Sequence, residues 1–152
     1  LGLAFDCFLL RGVYVMQKWL LSVLLVSMSS LSLAGQDAAK IALIKRVYKE
    51  ADMSLNVLKK YGSRALQNSL KLNEELTRKG VLCLGYNPIW QVENPLPTQE
   101  VKVSVVGKHG IQASFQQPGE MVSVKYMVEC VGNTCKIADV DGIKGIIEQC
   151  AK

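Results

Sequence analysis

Apolar residues recur at helical spacing from residue 37 to about 80, and beyond residue 100 they alternate with polar ones. Asp37 is placed to cap a run from Ala38 to Ala51, where Ile41, Ile44, Val47, Tyr48 and Ala51 mark one face. Ser54 can open a shorter piece through Leu55, Val57 and Leu58, ending near Tyr61-Gly62. Ser63 then starts a third helix with an apolar stripe of Leu66, Leu70, Leu72 and Leu76, and Gly80 is a natural stop. The pattern changes at Val81. Residues 86–98 are proline-rich and predict an irregular connection over the surface of the fold. Period-two alternation follows in four runs: Val101, Val103 and Val105; Ile111, Ala113 and Phe115; Val122, Val124, Tyr126 and Val128; and Cys135 to Val140. The turns between them are Gly107 to Gly110, Gln117 to Glu120, and Val131 to Thr134, and Asp141 is placed to cap a last helix with Ile143, Ile146 and Ile147.

Helices that precede a meander of strands imply an α+β domain. N-terminal helices pack on one face of a curved four-stranded antiparallel sheet, and a short C-terminal helix closes it. A content of 49% hydrophobic and 20% charged residues excludes a disordered chain, and no internal repeat breaks the pattern.

Ahead of this region, residues 16–34 read as a signal peptide. Lys18 supplies the positive end, Trp19 to Val26 the apolar heart, and Ser32 and Ala34 the small residues before a cut ahead of Gly35. Serines interrupt the apolar run, which falls short of the roughly 18–20 residues of a membrane-spanning helix. No membrane insertion is therefore expected once the leader is removed. Residues 1–15 fit no targeting pattern and read as upstream sequence carried in frame, with translation starting at Met16. The expected mature chain is a single domain over residues 35–152, periplasmic or secreted.

Cysteine usage agrees with export. Cys7 precedes the cut, and Cys83, Cys130, Cys135 and Cys150 remain, an even set with three connectivities. Cys130 and Cys135 enclose a turn between two strand-like runs and can face each other across a hairpin, which leaves Cys83 for Cys150. Zinc is the rival, but structural zinc sites usually carry a tighter second pair or histidines, so no metal and no cofactor are expected. The chain carries a net charge of +5 and stays basic without Arg11, Lys18 and Asp6 of the removed segment. Its charges are mixed, with local clusters at Lys45-Arg46, Lys59-Lys60 and Arg78-Lys79. Nucleic-acid binders gather such charge on one face or interleave it with aromatics, so nucleic acid is not an expected partner. These clusters read as solvated helix faces, or as an attraction to an acidic partner or the anionic envelope surface.

Three segments carry a family resemblance: YKEADMSLNVLKKYGSRAL, the Cys-x-x-x-Asn-Pro-Ile connection in CLGYNPIW, and the closing CKIADV strand. The chain resembles an uncharacterised family of small exported bacterial proteins with a cystatin-like, nuclear-transport-factor-like cone fold. Family members often have Tyr-Asp-Pro in the connection, where this chain has Tyr86-Asn87-Pro88 and hence no carboxylate. The resemblance implies fold and export and attaches no activity.

Candidate chemistry is sparse. The sole histidine, His109, falls in a hairpin turn with no partner carboxylate nearby in sequence, and it reads as an exposed turn residue. Asp139 and Asp141 would share a strand face, as a catalytic pair does, but capping explains Asp141, and Asp139 reads as a surface residue. Tyr86, Asn87, Trp90 and Tyr126 form the candidate binding set. Near the mouth of a cone they would line a pocket or present rigid anchors to a partner. The alternative is that Trp90 and Tyr126 are core and that Asn87-Pro88 sets a turn. No catalytic constellation emerges. The expected function is an exported, non-catalytic binding protein that works by protein–protein contact, for example an immunity protein or inhibitor of an envelope toxin. The competing expectation is a carrier or sensor of a small apolar ligand in the cone cavity.

Overall fold

A computed structural model describes residues 34–92 and 100–152. The expected upstream stretch 1–15 lies outside the described residues, as does the expected leader except Ala34. Residues 93–98 of the connection are likewise outside. Residues Gln36–Lys152 form one compact unit. Three helices come first: α1 (residues 34–50), α2 (Asn56–Tyr61) and α3 (Arg64–Arg78). Four strands follow, β1 (Lys102–Val106), β2 (Gly110–Gln117), β3 (Glu120–Val131) and β4 (Thr134–Val140), and α4 (Ile143–Cys150) closes the chain. The strands lie side by side in chain order and every pairing is antiparallel. The architecture is the α+β arrangement expected from the patterning.

Alternation decides which face of the sheet is covered. Along β3, Val122, Val124, Tyr126 and Val128 are buried and the residues between them are exposed. Ile44 and Val47 of α1, Leu58 of α2, Leu66 and Leu70 of α3, and Ile143 and Ile147 of α4 share one core with that inward face. The stripe on α3 differs from the expected one. Leu66, Ser69, Leu70 and Asn73 are buried, whereas Leu72 and Leu76 are only half-buried. A 3.6-residue period aligns positions 66, 69, 70 and 73 and leaves 72 and 76 on the flank.

The ends of α3 are where sequence reading placed them. Ser63 Oγ accepts the Leu66 N–H at 3.3 Å. At the other end the Val81 N–H reaches the Leu76 carbonyl and the Gly80 N–H the Thr77 carbonyl, both at 2.9 Å. This double closure requires the left-handed Gly80 (φ 83°). Two expected caps are corrected. Asp37 lies within helix, not at its start, and accepts from Lys40 Nζ at 2.8 Å. At α4, Asp141 does not cap; Asp139 Oδ1 accepts the Lys144 N–H at 3.3 Å and the Val140 N–H at 2.9 Å. The expected cap at Ser54 is nearly met: its hydroxyl accepts the Asn56 N–H at 3.2 Å, although Leu55 holds the cap position.

A bulge near the end of β4 contributes to this exchange of roles. Val128 pairs with Ile137 but Met127 with Asp139, so Ala138 is inserted, and the adjacent Ile137 and Ala138 are both buried. Asp141 then takes a left-handed conformation (φ 45°) and leaves the strand. Among the described residues, no helix is long and apolar enough to cross a membrane.

Candidate functional site

The connection is shaped by Asn87. Its Oδ1 accepts the N–H groups of Ile89 at 2.9 Å and Trp90 at 3.4 Å, and its Nδ2 donates to the Met53 carbonyl at 3.2 Å. Its own carbonyl accepts the Gln91 N–H at 2.7 Å. Asn87 therefore caps a single turn, and Pro88, which has no N–H to satisfy, follows at the first position. This turn drives Ile89 and Trp90 inward, while Tyr86 stays half-buried. Replacing Asn87 with alanine is expected to cost about 1 kcal/mol, the usual value of such a cap. Asn87→Asp keeps the acceptor oxygen and should retain most of it. Urea midpoints of the two variants check this, and equal losses would contradict it.

Trp90 and Tyr126 are core side chains, each 1% exposed. They join Tyr48 and Phe115 in an edge-to-face cluster. Ring centroids lie 5.2 Å apart for Tyr48–Trp90, 5.5 Å for Trp90–Phe115, 5.6 Å for Tyr48–Phe115 and 6.1 Å for Tyr48–Tyr126. Tyr126 Oη donates to Tyr48 Oη at 3.0 Å, and Tyr48 Oη donates to the Ile89 carbonyl at 3.0 Å. A relay of two phenols thus ties the sheet to α1 and α1 to the connection. Burial raises both phenols above the ordinary tyrosine range, so they stay protonated at neutral pH. The Trp90 Nε1–H is buried with no partner among the described residues. Of the four candidate binding residues, then, only Tyr86 and Asn87 reach the surface, and Asn87 is engaged in the turn.

The remaining polar candidates also serve the fold. His109 is exposed in the β1–β2 turn, and its carbonyl accepts the Val128 N–H at 2.8 Å. Asp141 Oδ1 accepts the Lys125 N–H at 3.1 Å and Oδ2 accepts from Gln91 Nε2 at 3.0 Å, which joins β3 to the connection. Asp139 and Asp141 thus bond in different directions and do not form a pair. Sequence reading missed Lys40. It is 4% exposed, and its Nζ donates to Asp37 Oδ1 and to the Lys108 carbonyl, each at 2.8 Å, fastening α1 to the β1–β2 turn. The available signal was its position one turn before Ile44 on the apolar face.

Cys83 is bonded to Cys150 and Cys130 to Cys135. Two disulfides in a chain of this size agree with an oxidising, non-cytoplasmic compartment. Beside the second lies a groove of about 420 Å³, bounded by Ala39, Ala42 and Arg46 of α1, by Tyr61, and by Asn133 and Lys136 of the β3–β4 hairpin. Sequence reading singled out Arg46 as part of a charged cluster but had no signal for Lys136, which only the fold brings to it.

No family model and no curated protein matches this chain. Among solved structures it is similar to a protein of unknown function from Bacteroides thetaiotaomicron. The TM-score is 0.45 at 11% identity, over 79% of this chain and 98% of that one.

Proposed function

We propose that the chain is an exported, non-catalytic binding protein that acts by protein–protein contact, in the role of an immunity protein or inhibitor of a toxin in the bacterial envelope. The observation that carries this reading is that aromatic side chains fill the interior among the described residues. Tyr48, Trp90, Phe115 and Tyr126 occupy the space between α1, the connection and the sheet, at or below 8% exposure. A carrier of an apolar ligand needs that space open. Asn87, Asp139 and Asp141 are engaged in caps and ties, which leaves recognition to the outer surface. Two disulfides support a periplasmic or secreted location. The helix–meander–helix order supports the cone-fold relationship expected from the sequence.

Native mass spectrometry of the protein isolated from envelope extract tests the reading. A protein partner at fixed stoichiometry is expected. A co-purified apolar small molecule with no protein partner would overturn it in favour of the carrier.

A further inference from the structure

Among the described residues, β4 is an edge strand of the sheet, and part of its outer edge borders the groove beside α1. Val131 pairs with Thr134 around the two-residue turn Gly132-Asn133, in which Gly132 takes φ 59°. The closing pair of such a hairpin exchanges both ladder bonds. The next pair, Cys130 and Cys135, is then a non-hydrogen-bonded ladder pair, and the N–H and C=O of Cys135 point away from β3. Ile137, two residues on, has the same phase, and its carbonyl indeed faces outward to accept the Ser63 N–H at 2.7 Å. Gly62 bridges Ile137 there, so the α2–α3 junction covers the edge at that point. Upstream, at Thr134 to Lys136, the edge borders the groove, whose opposite wall is made low by Ala39 and Ala42.

The groove is also cationic. Arg46 and Lys136 line it and no acid does. Neither joins any of the ion pairs among the described residues, which are Lys40–Asp37, Lys59–Glu74 and Lys60–Glu50. The neighbouring acid, Glu50, is already held by Lys60 Nζ and Tyr61 Oη, each at 2.7 Å. These bonds keep its carboxyl below the usual glutamate range. Glu129 stands opposite Lys136 on β3.

Resting on the function proposed above, we infer that this groove takes an extended, acidic segment of the partner protein, added as a strand to the free edge of β4. Main-chain bonds to Cys135 hold the segment. Cys135 and Ile137 share the inward face of β4 and Lys136 lies on the outward one. Segment residues turned toward α1 therefore meet Arg46 and those turned outward meet Lys136, and each cation selects carboxylates on its own face. The Cys130–Cys135 bond keeps the receiving edge in register.

The test uses the oxidised mature chain and three eight-residue probes: alternating Val-Glu, alternating Val-Lys, and the Val-Glu peptide interrupted by proline. The Val-Glu probe is expected to bind, to protect the Cys135 amide from hydrogen exchange, and to weaken at least tenfold in the Arg46→Glu/Lys136→Glu variant. The control Lys71→Glu, an exposed site on α3, should leave binding unchanged. Failure of the Val-Glu probe to bind, equal binding of Val-Lys, or an unprotected Cys135 amide would overturn the inference. So would self-association of the chain that disappears in the double variant, since the occupant would then be a second copy. Capture from envelope extract separates the two levels. A partner retained by the double variant removes the groove but leaves the proposed function, whereas no partner for the unmodified chain removes the function itself.

Discussion

Replacing Cys83 and Cys150 together by serine is expected to lower stability by about 4 kcal/mol, against about 2 kcal/mol for the Cys130/Cys135 pair. The difference follows from loop closure. The first bond spans 67 residues and the second 5, and a cross-link restricts the unfolded chain more when it closes a longer loop. The longer bond also joins the segment leaving α3 to the last residue of α4, two helices that pack against each other. A loss of about 4 kcal/mol is a large part of the 5–15 kcal/mol that holds a typical domain. The Cys83→Ser/Cys150→Ser variant should therefore show a sharply lower urea midpoint, and the hairpin variant a modest shift. Equal shifts, or a larger one for the hairpin, would contradict the assignment of the long bond as the main staple.

Stability should also collapse in alkali, through the two phenols. Tyr48 and Tyr126 are buried and hydrogen-bonded to one another, and burial raises the pKa of each. The folded state therefore holds these protons more tightly than the unfolded chain does. Their contribution is fully present below about pH 10, where unfolded tyrosine ionises. It is lost as the pH rises above that, by about 1.4 kcal/mol per pH unit for each phenol. Together the slope is about 2.7 kcal/mol per pH unit. Urea unfolding between pH 8 and 11.5 should show a plateau and then this fall, and phenolate absorbance from the pair should appear only with unfolding. In Tyr48→Phe the slope should halve. A flat profile to pH 11.5 would mean that the pair is accessible to solvent.

Much of the fold was legible because its signals are local. Val122 to Val128 alternate so regularly that β3 and its buried face follow from period two. The cap at Ser63 and the stop at Gly80 mark α3 within a residue. The hairpin turn between Cys130 and Cys135 suggested one bond and left the other. What escaped depends on contacts distant in sequence. Asp139 and Asp141 exchanged their expected roles because of a bulge at Ala138 and a left-handed Asp141, neither of which alternation predicts. Lys40 is buried with its ammonium donating to Asp37 and to the carbonyl of Lys108, which lies 68 residues away. Trp90 was ambiguous between surface and core for a similar reason, since its burial depends on where Asn87 turns the chain, and Asn87-Pro88 is equally compatible with an exposed loop. Tyr126 follows the alternation of β3. The groove joins residues of α1 to a hairpin some 90 positions later, and no spacing in the chain announces it.

The proposed binding role requires export of a doubly cross-linked chain, so the most direct measurement is the intact mass of the protein purified from periplasm, with and without reduction. The account predicts a mass beginning at Gly35 that rises by about four hydrogens on reduction, two for each disulfide. A mass that retains the leader, or free thiols at all four cysteines before reduction, would contradict it and remove the envelope partner with it.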